Sequence, residues 1–209
     1  MEILSKLFGG DARVKILRLF LFNPGQTYSS GDIAMRSKVA LPAVRHEVAL
    51  MKKLDMIKGK RFSHFVPVKR KKKMVMVRKT EGGWILNSTF PYLSPMRELL
   101  INTVLVRYGD IIRRLNSAGR IKLVIISGIF IRDEDSRVDI FVVGDGIRMV
   151  ALENIIKTIE SEIGKELRYA AFETADFKYR VSMHDKLIRD VLDFPHKIIL
   201  DRLNFNANL

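Results

Sequence analysis

Cysteine is absent from all 209 residues. That excludes disulfides, thiolate metal sites and cysteine nucleophiles, and it fits a reducing compartment. Histidine is nearly as scarce. His46, His64, His184 and His196 lie far apart without ligand spacing, so core or surface positions are expected for them rather than a metal site. No uncharged run approaches the ~20 residues of a membrane helix. Met1–Phe8 alternates charged and apolar residues, unlike the apolar core of a signal peptide. A cytoplasmic protein with no membrane partner is the expectation. Gly-rich phosphate loops, HExxH and GxSxG are also missing, and the residues offer no catalytic set, cofactor or metal.

The first half lacks negative charge. Residues 1–90 hold 19 Lys/Arg against 6 Asp/Glu, a balance of +13, whereas residues 91–209 hold 18 against 17. Nearly all of the chain's net +14 therefore sits in one half. A basic half joined to a neutral half points to a polyanion-binding module with a partner domain. A hydrophobic content of 47% leaves ample core for two small domains.

The stretch Ala40–Lys79 organises that basic half. Val44, Val48, Met51 and Leu54 recur at helical spacing and predict a buried face. Pro42 suits the first turn, where its missing N–H costs nothing. The opposite face carries Pro42, Ala43, Arg45, His46, Ala49, Lys52 and Lys53, small and cationic, as a helix entering a major groove requires. Strands are predicted over Met56–Val68 and Met74–Lys79, with Lys69-Arg70-Lys71-Lys72-Lys73 at the tip between them. A helix followed by a hairpin with a cationic tip is a winged helix. Two plainer readings are a solvated or localisation-type basic run, and an exposed His46 that contacts no base.

Upstream, Asp11 can cap a helix over Ala12–Phe22 that buries Val14, Ile16, Leu17, Phe20 and Leu21 and leaves Arg13, Lys15 and Arg18 outside. Thr27–Ser29 is a short extended piece. Ser29 or Ser30 caps a second helix, Gly31–Ser37, with Ile33, Ala34 and Met35 inward. Three helices joined by tight turns make a helix-turn-helix. The series ARVKILRLF, SSGDIAMRSKVALPAVRHEVALMKKLDMI and the basic hairpin resembles the winged-helix transcription regulators of the ArsR/MarR type over about the first 80 residues. The resemblance implies that Pro42, Ala43, Arg45, His46 and Ala49 face base edges. It implies too that Lys52, Lys53, Lys60, Arg61 and Lys69, Arg70, Lys71, Lys72 and Lys73 meet phosphates or the minor groove. A homodimer follows from the same likeness. The Cys or His clusters of the metal-sensing members are missing here.

Beyond Glu81-Gly82-Gly83, Trp84–Leu93 reads as an extended connector with Trp84 as an inter-domain anchor. A helix opened by Ser94-Pro95 then runs to Gly119 with Leu99, Leu100, Val104, Leu105, Ile111 and Ile112 as its stripe. Strands are predicted over Lys122–Gly128, Arg137–Asp145, Leu167–Glu173 and Lys197–Leu200. Helices are predicted over Ile147–Gly164, with Val150, Ile155, Ile156, Ile159 and Ile163 inside, and over Thr174–Ser182 and Asp185–Leu192. The segment Val124–Asp145 resembles the first motif of the minimal nucleotidyltransferase fold: a strand, Gly-Ser, an arm, then Asp-x-Asp. Carboxylates at i and i+2 of a strand share a face and can hold Mg²⁺. Gly128 and Asp139 match as a vestigial nucleotide site, but Ile129 replaces the serine and Arg137 the first carboxylate. Asp133-Glu134-Asp135 could fold back as a substitute ligand. The plainer reading is two hydrophobic strands joined by a charged turn, with Asp139 exposed.

The expectation is an α+β protein. Residues 1–82 form a winged helix-turn-helix, 83–119 a connector, and 120–209 a nucleotidyltransferase-like domain with a small mixed sheet and no catalysis. The partner is double-stranded DNA. The second domain serves dimerisation or binds a small ligand or protein partner. The rival readings are a Mg²⁺-dependent nucleotidyltransferase and an RNA-binding protein.

Overall fold

The computed structural model describes residues 3–70, 73–101, 108–133 and 135–205 of a mixed α+β protein. The chain divides into two compact units, Met1–Val104 with Glu160–Lys165, and Leu105–Ile159 with Glu166–Leu209.

In the first unit α1 (Ile3–Leu7), α2 (Asp11–Phe22), α3 (Ser30–Ser37) and α4 (Leu41–Lys53) precede β1 (Ile57–Arg70), β2 (Lys73–Leu86) and α5 (Leu93–Leu100). Ile16, Phe20, Leu21, Ile33 and Val44 are fully buried at its centre, and Phe20 meets Tyr28 edge-on. Arg18 departs from expectation. It is buried within α2, and its guanidinium donates to the carbonyls of Leu100 and Glu162 in the same unit. Those bonds satisfy a group that periodicity alone would send to solvent. Asp11 is the first residue of α2 and makes no cap; Gly10 precedes it. Ser29 caps α3 in a reciprocal box with Asp32. Met35 is exposed rather than inward.

Helix α4 buries Val44, Val48 and Met51, but Leu54 is exposed because the helix ends at Lys53. The chain turns through Asp55, and Met56 takes the place in the core that Leu54 was expected to fill. The second strand runs seven residues past its expected end, to Leu86. It pairs antiparallel with β1 from Ile57↔Leu86 out to Arg70↔Lys73. Trp84 therefore belongs to this hairpin, where it pairs with Gly59 and bridges to Tyr28 on its other edge. A Cβ at Gly83 would stand 2.8 Å from the Tyr28 carbonyl oxygen, so only glycine allows Tyr28 this close. Tyr92, not Ser94, precedes α5. Residues 102–107 of the expected long helix lie outside the described set.

In the second unit α6 (Tyr108–Leu115), β3 (Arg120–Ile126), β4 (Ile140–Asp145), α7 (Met149–Ile163), β5 (Tyr169–Glu173), α8 (Thr174–Ser182), α9 (Lys186–Asp193) and β6 (Lys197–Asp201) follow in order, α7 ending in residues assigned to the first unit. The strands form one mixed sheet in the order β5-β4-β3-β6, with only β4 and β5 parallel. Leu123, Ile125, Phe141 and Val143 share one face and pack with Phe177, Ile188 and Val191. Val124, Ile126, Ile140 and Val142 on the other face are equally buried. Strand β4 begins at Ile140 rather than Arg137. Val138 instead accepts a hydrogen bond from the Ser127 hydroxyl, and the Asp139 N–H donates to the Arg168 carbonyl. Val150 is exposed in the first turn of α7, whose buried stripe starts at Leu152. Asp185 caps α9 through the N–H groups of Leu187 and Ile188.

Candidate nucleic-acid interface

The outward side of α4 is positioned by what its inward side does. Glu47, on the buried flank, takes two hydrogen bonds from Arg13 of α2, at 2.7 Å and 3.3 Å. A bidentate guanidinium–carboxylate pair fixes rotation about the helix axis as well as distance. The Glu47 carboxylate raises the Arg13 pKa above its ordinary value, chiefly through the hydrogen bond. With the helix so held, Pro42, Arg45, His46, Ala49, Lys52 and Lys53 are exposed and Ala43 is half-buried. The expected cationic face is therefore presented to solvent. At the C-terminal end of α4 the Lys52 ammonium lies 5.7 Å from the centre of the Trp84 ring, which ties the helix to the base of the hairpin.

Side chains on a ladder alternate between its faces. Arg61 shares the face of Gly59 and Trp84, whereas Lys60 points to the opposite side. Two cations absent from the sequence expectation complete the set: Arg78, across from Phe65 on the Arg61 face, and Lys58 on the Lys60 face. Among the described residues no ion pair engages Lys58, Lys60, Arg61 or Arg78, whereas Lys79 pairs with Glu81 at 3.3 Å. Glu81 is the only carboxylate between residues 57 and 86, a span holding ten Lys/Arg. The backbone of Lys69, Arg70 and Lys73 belongs to the ladder, but their side chains, and Lys71 and Lys72 entirely, lie outside the described residues.

Asp139 has a different environment from both expectations. It is 4% exposed and is not on a strand. One carboxylate oxygen accepts from the Ile129 N–H at 3.0 Å, and the other from the Arg168 N–H at 2.8 Å and its Nε at 3.4 Å. Gly128, at φ 56°, leaves the space that the carboxylate occupies. Three donors on one carboxylate make Asp139 a pin between the turn after β3 and the start of β5. Arg137 pairs with Asp190 instead of Asp139. Asp133 is used within its own loop by the Asp135 N–H and the Ser136 hydroxyl, and Glu134 lies outside the described residues. Among the described residues no three His, Asp or Glu side chains are grouped to hold a metal ion. Elsewhere in this unit a mostly apolar cavity of about 470 Å³ is lined by Phe177, Val181, Ile188, Leu192 and Phe205.

Among the described residues no helix is long and apolar enough to cross a membrane. Comparisons with known proteins found no matching family, no matching curated protein and no matching solved structure.

Proposed function

We propose that this protein binds duplex DNA through its first unit and acts as a transcriptional regulator. Helices α2, α3 and α4 with the β1–β2 hairpin are read as a winged helix, α4 entering the major groove and the hairpin meeting the adjoining minor groove and the phosphates that flank it. One observation carries the reading: α4 buries one side, is clamped by Arg13 and Glu47, and exposes Arg45, His46, Lys52 and Lys53 beside a hairpin nearly devoid of acid. Arg45 and His46 face bases. Lys52, Lys53, Lys58, Lys60, Arg61 and Arg78 meet phosphates, which set register without reading sequence.

The second unit is read as a nucleotidyltransferase-like scaffold without catalysis. Its surviving carboxylate, Asp139, is spent on Ile129 and Arg168, and its role is dimerisation or the sensing of a partner or ligand. Selection of bound duplexes from a random pool by the full-length protein tests the proposal. A palindromic consensus is expected, from a two-fold dimer. On that consensus Arg45→Ala should lose about 1–3 kcal/mol, roughly 5- to 150-fold in affinity, and relax the preference at one position. Selection that enriches no duplex, or a stronger preference for structured RNA at matched salt, would overturn it.

A further inference from the structure

Ser63 and Thr80 join their hydroxyls across the ladder at 2.7 Å, and seven more residue pairs extend beyond them, about 23 Å of ribbon at a strand's usual rise. Among the described residues of this outer part no apolar side chain is buried. On the face of Arg61 and Arg78 stand Phe65, Pro67, Met76 and Met74, with Phe65 65%, Met74 67% and Met76 59% exposed. Single exposed apolar residues are ordinary, but a column of them on a two-stranded ribbon is not.

Charge selects the occupant. A second copy of the ribbon would bring its own ten Lys/Arg and one carboxylate alongside, like charges well inside a Debye length of about 8 Å. A duplex supplies the opposite charge and, between its base pairs, an apolar surface. We propose that Phe65, Met74 and Met76 form a wedge that enters the minor groove and parts a base step, so that the protein kinks the DNA it binds. The wedge rests on the DNA-binding reading of the first unit. Apolar side chains carried on cationic elements unstack minor-groove steps and bend the duplex by about 20–90° toward the major groove. Arg61 and Arg78, on the same face, then reach the phosphates flanking the opened step. Pyrimidine–purine steps, the easiest to unstack, are expected at the centre of the bend.

The test uses full-length protein and a short duplex labelled at both ends for energy transfer, with a fluorescent adenine analogue at the central step. Binding should shorten the end-to-end distance and raise the analogue's emission. The variant F65S/M74S/M76S should bind a straight duplex with the analogue still stacked. Its dependence of affinity on salt should be that of the parent, because no cation is removed. The three side chains are exposed, so circular dichroism should show an unchanged fold; the milder pair M74Q/M76Q should lose part of the bend. A straight duplex in the parent complex, or an equal bend in the triple variant, overturns the wedge and leaves DNA binding standing. Absence of duplex binding at low salt removes both. A parent dimer that the triple variant turns into monomers, with the bend unchanged, assigns the apolar column to a second copy and also overturns the wedge.

Discussion

The hairpin and the four-stranded sheet are both β-structure carrying Val, Ile and Phe, the hairpin adding Met74 and Met76, yet they satisfy their apolar side chains in opposite ways. In the sheet Leu123, Val124, Ile140 and Val142 are all buried, so neither face is left to solvent. Polar bonds such as Lys122–Asp145, and Arg202 donating to the Ile121 carbonyl, tie down its ends. In the outer hairpin Phe65, Met74, Val75 and Met76 are exposed, and Arg61 and Arg78 beside them have no ion pair among the described residues. A sheet stabilised by its own core needs nothing else to persist. The outer ribbon, by contrast, buries no apolar side chain among its described residues and has little counter-charge, which is why a partner outside the molecule is proposed for it.

The sharpest contrast is between two phenylalanines. Phe141→Ala, in the sheet, should cost about 3–5 kcal/mol, whereas Phe65→Ala should stay within about 0.5 kcal/mol in the free protein. Urea unfolding followed by circular dichroism measures both, and equal losses would erase the distinction. Next in size is Asp139→Ala, which strands the buried N–H groups of Ile129 and Arg168 and should cost about 1–3 kcal/mol. If Asp139 instead served a nucleotidyl transfer, labelled nucleotide with Mg²⁺ would show transfer by the parent that the variant lacks; none is expected from either. Ser29→Ala should cost about 1 kcal/mol through the loss of the α3 cap, and it should weaken DNA binding no more than it unfolds the protein.

The smallest effect is a pH dependence within the second unit. Asp145 lies below its ordinary pKa mainly because of its bond to Lys122, and Asp185 mainly because of the N–H of Ile188. A carboxylate depressed in the folded state adds stability above its unfolded pKa and loses it as pH falls through the folded one. Thermal unfolding should therefore show Asp185→Ala weaker than the parent near neutrality, with the gap closing on acidification below about pH 4.

Much of this is legible in the residues, and the departures share causes. The spacing of Val44, Val48 and Met51 locates α4 and its outward face, because a single helix repeats its burial without reference to the rest of the chain. Leu54 and Val150 break the pattern at helix ends, where the 3.6-residue period stops applying. Arg18 breaks it because two carbonyls distant in sequence accept its protons. In sequence Asp139 is half of a damaged Asp-x-Asp. Its burial depends on backbone N–H groups 10 and 29 residues away, which no local pattern encodes. The extension of β2 to Leu86 is hidden by Gly82-Gly83, which reads as a break but allows Tyr28 to approach. Arg78 and the apolar column are overshadowed by the dense Lys69–Lys73 run and emerge only from alternation along the two paired strands.

The most direct test of a nucleic-acid hairpin is the slope of log affinity against log salt for duplex DNA, measured for the parent and for a variant with Lys58, Lys60, Arg61 and Arg78 replaced by glutamine. Each phosphate that the variant no longer neutralises should flatten the slope by about 0.9, and the variant should fall well short of the parent's steepness. An identical slope in the two proteins would contradict the claim that this ribbon grips a polyanion.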